Sequence, residues 1–145
     1  MLHSCVRNIG VLLVIIGSAL AARADDGKGN EKKPSDAEIT RLLVGKWEGA
    51  DPATGVTGTI RYAKDGTFTG DGTVSLPGNE KIEFHAEGTW KVSDGAILFT
   101  ITKSTRPGVA PVGIEVKEVV QAIDEKTVRY TRGLGKIKER KRVKE

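Results

Sequence analysis

The sequence predicts an all-β protein: an eight-stranded antiparallel up-and-down barrel preceded by one short helix. Three observations predict it. Apolar and polar residues alternate over long stretches, short glycine-bearing turns separate those stretches, and glycines recur on the apolar side. Lys81 to Val92 is the clearest row. Ile82, Phe84, Ala86, Gly88, Trp90 and Val92 share one face, and Lys81, Glu83, His85, Glu87, Thr89 and Lys91 the other, which is a strand with one dry side.

The elements follow in order. After Pro34, Ser35-Asp36-Ala37-Glu38 has capping-box spacing, and Ile39, Leu42 and Leu43 repeat at helical intervals, so a helix runs from Asp36 to about Leu43. Strands are expected at about 44–50, 56–63, 67–76, 81–92, 96–103, 113–123, 127–133 and 136–143. Val56, Gly58, Ile60 and Tyr62 form one inward row; Phe68, Gly70, Gly72, Val74 and Leu76 form another; Ile97, Phe99 and Ile101 a third. Lys64-Asp65-Gly66 and Ser93-Asp94-Gly95 are hairpin turns in which glycine supplies positive φ. Pro77-Gly78-Asn79-Glu80 and Asp124-Glu125-Lys126 close two more, and residues 104–112 form a longer loop. A sheet that is apolar on one face throughout must close on itself or fold into two layers, and closure also removes its edges. Inward Gly58, Gly70, Gly72 and Gly88 permit the coiling a small barrel needs.

A chain of 145 residues has room for one ordinary domain. With 38% hydrophobic and 29% charged residues it is neither a disordered tail, a coiled coil nor a polytopic membrane protein. Residues 1–24 read as a signal peptide: Arg7 is the positive n-region, Ile9 to Leu20 an apolar run, and Ala22-Arg23-Ala24 a small-x-small cleavage site. A cut after Ala19-Leu20-Ala21 is the alternative, and an uncleaved anchor the other reading, although the run is short of the roughly 20 residues a span needs. Residues 25–35 are a polar linker and 36–145 the barrel domain, so the protein is expected to be exported to the periplasm or medium. Cys5, the only cysteine, leaves with the signal, so the mature chain has neither disulfide nor thiol chemistry. The formal +4 becomes +2 when Arg7 and Arg23 leave. Lys136 to Glu145 alone holds six basic and two acidic residues, so the basicity is one C-terminal segment.

The segment Leu43-Val44-Gly45-Lys46-Trp47-Glu48-Gly49, following a short helix and opening the first strand, resembles the Gly-x-Trp start of a lipocalin barrel. The Gly58 to Phe68 pattern and Glu87-Gly88-Thr89-Trp90-Lys91-Val92 look like short bacterial lipocalin-like domains. The resemblance implies that Gly45 and Trp47 close one barrel end and that a basic residue of the last strands stacks over Trp47. Arg132 is expected in that role, with Arg129 as its rival. The chain is shorter than a typical lipocalin, and its two tryptophans argue against a biotin-type box.

Chemistry-bearing constellations are sparse. His85, the only histidine of the mature chain, falls on the outer face between Glu83 and Glu87, and a metal site needs three or four convergent ligands, so no metal is expected. Asp65 to Gly72 lacks the spacing of a calcium loop. There is no Gly-x-Ser-x-Gly elbow, no Ser/His/Asp set and no phosphate loop, and the carboxylates fall on solvent faces or in turns. The reading is a monomer that is not an enzyme and needs no cofactor. Tyr62, Phe68, Phe84, Trp90, Phe99 and Tyr130 point inward and are the candidate ligand contacts, whether the barrel holds a small apolar or amphipathic molecule or is filled by its own side chains. An inward Arg132 requires a partner, either Trp47 or an anionic head group. The alternative function is an interaction module docking on an anionic envelope surface through Lys136, Lys138, Arg140, Lys141 and Arg142, with Ile137 and Val143 turned inward. Nucleic acid is not an expected partner, because this strip carries no aromatic residue for base stacking.

Overall fold

The structure, a computed structural model, describes residues 32–145. The expected signal peptide and most of the expected linker lie outside the described residues. Helix α1 (Asp36–Leu43) leads into strands β1 (Gly45–Asp51), β2 (Val56–Tyr62), β3 (Thr67–Ser75), β4 (Lys81–Ser93), β5 (Ala96–Ser104), β6 (Glu115–Ile123), β7 (Thr127–Thr131) and β8 (Lys138–Arg142). Each strand pairs antiparallel with the next, and β8 returns to β1 through Trp47↔Arg142, Glu48↔Lys141 and Gly49↔Arg140, closing the barrel. This is the up-and-down architecture that the alternating rows and the Gly-x-Trp resemblance imply.

An up-and-down barrel collects its odd-numbered turns at one end and its even-numbered turns at the other. Helix α1 covers the end where β2–β3, β4–β5 and β6–β7 turn. Ser35 Oγ accepts the Glu38 N–H at 3.2 Å, satisfying one of the orphan donors of the first turn. Asp36 then accepts the Asp94 and Gly95 N–H groups at 2.9 and 2.7 Å, tying the helix start to the β4–β5 turn. Both turn residues have positive φ (52° and 73°), the type I′ geometry announced by Asp-Gly. Ile39 and Leu43 are fully buried against Trp47, Tyr62, Ile97, Val120 and Val128. Burying side chains of this size stabilises by roughly 1.5–3 kcal/mol each, so the capped end is where the core is anchored.

Gly58, Gly72 and Gly88 are each required by close approach, and at Gly58 a Cβ would collide with the Asp71 carbonyl. At Gly88 the β4–β5 register shifts, and a Cβ would collide with the Thr100 carbonyl and lie 2.7 Å from the Phe68 ring. At Gly72 a Cβ would collide with the tip of the ring of Phe84, its cross-strand partner, which occupies the space beside the bare backbone.

The last strand departs from the sequence expectation. Ile137 is 61% exposed and precedes the strand, whereas Lys138, Arg140 and Arg142 take the inward phase. A shift of one residue turns a whole strand over. The inward row is set by what it meets, a buried carboxylate and two aromatic faces, instead of by its flanking aliphatics. Leu76 similarly lies beyond the end of β3 and is exposed.

Candidate functional site

Arg142, and not Arg132, is the cation that closes the barrel with Gly45 and Trp47. Its guanidinium lies 4.3 Å from the Trp47 ring centre. It donates to the carbonyls of Val44 (2.9 Å), Glu125 (2.7 Å) and Leu42, so the free carbonyls at the end of α1 meet a cation. Trp47 Nε1 donates to Leu43 O at 2.7 Å, which leaves no polar atom of that buried ring unpaired. Register explains the correction: Trp47 pairs directly with Arg142 across the β1–β8 seam. Arg129, the rival, faces outward toward Glu139 at 3.7 Å.

Arg132 has a different partner. Its Nε and Nη2 donate to Glu118 Oε1 at 2.9 and 2.6 Å, while Arg140 Nη1 and Nη2 donate to Glu118 Oε2 and Oε1 at 2.7 and 2.8 Å. Glu118 is completely buried, against the expectation that carboxylates face solvent, because it occupies the inward row of β6 between Val116 and Val120. Burial pushes its carboxyl up, but the Arg140 and Arg132 guanidinium groups more than reverse that and hold it below the ordinary carboxylate range. Arg140 also donates to the Tyr62 hydroxyl at 3.3 Å and lies 4.2 Å over the Tyr130 ring. Burial pushes both phenols up, so they are neutral donors and acceptors near neutral pH. One step toward the rim, Lys138 pairs with Asp51, and that ammonium lowers the Asp51 carboxyl.

Above the capped core lies a cavity of about 260 Å³ that opens at the other end of the barrel. Ile60, Phe68, Phe84, Phe99, Ile101 and Val116 form its apolar wall; Tyr130, Arg132 and Arg140 form its polar wall. The loop between β5 and β6 lies at its entrance, held by Gly113 N–H to Ile101 O at 2.9 Å, with Val109, Ala110 and Pro111 facing the space. Of the six aromatic residues expected to contact a ligand, Phe68, Phe84, Phe99 and Tyr130 line this cavity. Tyr62 and Trp90 lie below it, edge to face at 5.3 Å, and complete the core. Trp90 Nε1 donates to Ala63 O at 3.0 Å.

The expected basic strip on the last strand is divided. Lys136 and Lys141 are exposed, but Arg140 and Arg142 are consumed inside and Lys138 is half-buried on Asp51. The reason is the strand phase described above. On the outer face of β3 and β4, His85 Nδ1 lies 2.7 Å from Asp71 and its Nε2 3.5 Å from Glu87. The Asp71 carboxylate raises the His85 pKa above its ordinary 6.5. No cluster of three or more metal-ligating side chains occurs among the described residues.

No family model matches the chain, and no curated protein matches it. Among solved structures it is similar to a lipocalin-like protein from Bacteroides uniformis ATCC 8492, with 13% identity and a TM-score of 0.46, over 70% of this chain and 99% of that one.

Proposed function

We propose that the protein is an exported, non-catalytic carrier that holds one small amphipathic molecule in the barrel. The observation that carries this reading is a lumen with an apolar wall and a polar wall of unbalanced charge. Lys138 and Asp51 neutralise each other, while Arg132 and Arg140 share the one carboxylate of Glu118, leaving a single positive charge beside the cavity. Arg132 is the more exposed of the two arginines and is the group a ligand meets first. The preferred ligand therefore carries an anionic head for Arg132 and a short apolar body for Phe68, Phe84 and Phe99. At roughly 30 Å³ per water-sized group, a cavity of about 260 Å³ takes about nine heavy atoms.

A non-catalytic role is supported by how the lumenal groups are used. Both oxygens of Glu118 hold arginines, and the tyrosines stay protonated, so none of these side chains is free to move a proton. Docking through β8 draws no support from a strand whose arginines face inward. The test is isothermal titration of the full chain with octanoate and 1-octanol. Octanoate is expected to saturate one site with a Kd at or below about 1 mM, some 0.4 kcal/mol per heavy atom. It should bind at least about tenfold more tightly than octanol, a difference that Arg132→Gln removes. Absence of saturable binding of either compound would overturn the carrier reading.

A further inference from the structure

We propose that the open end of the barrel docks on an anionic phospholipid surface through the tips of its loops. All five exposed large apolar residues among the described residues lie at this end: Leu76 in the β3–β4 turn, Val112 and Ile114 between β5 and β6, and Leu134 and Ile137 between β7 and β8. Leu134 is wholly exposed and Ile137 61% exposed. At the capped end the apolar side chains of α1 and its neighbours are buried, and the turns there read Lys-Asp-Gly, Asp-Gly and Asp-Glu-Lys. Apolar side chains in water at one end only are a surface awaiting an apolar contact.

Charge selects the partner. The loops of the open end (52–55, 76–80, 105–114 and 132–137) hold Arg106, Lys136 and Arg132, the last already shared with Glu118, against one acidic residue, Glu80. The turns of the capped end (63–66, 94–95 and 124–126) hold two basic and four acidic residues. The mouth is thus positive and greasy, while the helix-covered end is close to neutral once Lys32, Lys33, Arg41 and Lys144 and Asp36, Glu38 and Glu145 are added to its turns. A bilayer carrying anionic headgroups is complementary to both properties at once, since apolar tips enter the headgroup boundary while basic side chains stay at the phosphate level. The outer wall presents Lys81, Glu83, Glu87, Thr89 and Lys91 along β4, so contact is made end-on and not by the barrel's flank. The inference stands whether or not the lumen holds a ligand.

The test places an indole at each end of the full chain, Ile137→Trp at the mouth and Lys64→Trp at the capped end. Vesicles contain brominated phosphatidylcholine alone or with roughly 30% phosphatidylglycerol. Native Trp47 and Trp90 are buried and give a constant background. The expected result is quenching of the indole at 137 but not of that at 64, at least about tenfold more partitioning with phosphatidylglycerol, and loss at high salt. Adding Leu134→Asp and Ile114→Asp to the Ile137→Trp chain should lower partitioning at least about tenfold without changing the far-ultraviolet dichroism. Equal quenching at both positions would mean that the apolar N-terminal run alone holds the chain, and overturns the inference. Quenching at neither position overturns it as well. A dimer dispersed by Leu134→Asp, with no vesicle dependence, assigns the face to a second copy and likewise overturns it.

Discussion

Replacing Glu118 by glutamine isolates the ion cluster of the lumen with almost no change of volume. Oε1 of Glu118 accepts three N–H groups and Oε2 one, from Arg140 Nη1. The glutamine oxygen takes the more heavily used position, which turns its amide nitrogen toward Arg140 Nη1, donor against donor. Arg140 is 8% exposed, so its charge cannot be returned to water without opening the barrel. Breaking a buried pair from one side costs about 3–5 kcal/mol, and the one surviving acceptor places Glu118→Gln near the lower end, about 3 kcal/mol. With a urea slope of about 1–3 kcal/mol/M, the unfolding midpoint should fall by roughly 1–3 M. Arg132→Gln, which removes the half-exposed partner and leaves Arg140 on Glu118, should cost about 1 kcal/mol or less. The double change Glu118→Leu with Arg140→Leu should restore most of the stability lost by Glu118→Gln, because neither charge is then stranded. Equilibrium urea unfolding followed by tryptophan fluorescence measures all four proteins. A Glu118→Gln midpoint equivalent to less than about 0.5 kcal/mol from wild type would refute the reasoning, since it would mean that Arg140 keeps its hydration.

Acid unfolding should carry the same signature. The Glu118 carboxyl is lowered by folding, so the folded chain holds fewer protons than the unfolded one, and the contribution is complete above the ordinary value of 4.5 and drains away as pH falls below it. Urea midpoints measured from pH 6 downward should decline in wild type, and Glu118→Gln should lack the part of that decline due to residue 118. His85 runs the opposite way. The Asp71 bond raises its pKa, so its small contribution is present below 6.5 and lost as pH rises through the folded value. A proton-NMR titration should place it above 6.5, and Asp71→Asn should bring it back toward that value. At the seam, Arg142→Ala should destabilise by about 2–3 kcal/mol in thermal unfolding, through lost stacking on Trp47 and three unpaired carbonyls, and Arg142→Lys should not rescue it because an ammonium lacks the planar fork. Gly88→Ala should cost at least about 1–3 kcal/mol, whereas Gly108→Ala, with no atom within 4 Å of the added methyl, should be neutral.

The sequence carried most of the fold because β3, β4 and β5 each contain enough apolar residues to declare an inner face. Their rows lead directly to Phe68, Phe84 and Phe99 on the cavity wall. Strand β8 contains none: Lys138-Glu139-Arg140-Lys141-Arg142 has no apolar residue to mark its phase, and the flanking aliphatics Ile137 and Val143 lie outside it. Two signals were nonetheless available. Glu118 stands in one row with Val116 and Val120, which makes it an inward carboxylate, and an inward carboxylate demands an inward cation. The cation over Trp47 was beyond reach, since residue 142 and not 132 faces it only by virtue of the seam register, set by every strand in between.

That seam has a consequence for how the chain comes to be folded at all. The residues of β8 are the last of the barrel to leave the ribosome, and until they arrive Glu118 has no Arg140 and Trp47 no lid. Seven strands thus make an object in which the half-exposed Arg132 alone holds Glu118 and the face of Trp47 is uncovered, so the ion cluster is completed only when β8 docks. A free β8 is charged on both sides. It is a poor addition to the greasy edge of another unfinished molecule, and fits only where one carboxylate and two aromatic rings await it. The strand that completes the barrel is in this way also the strand that cannot complete the wrong one.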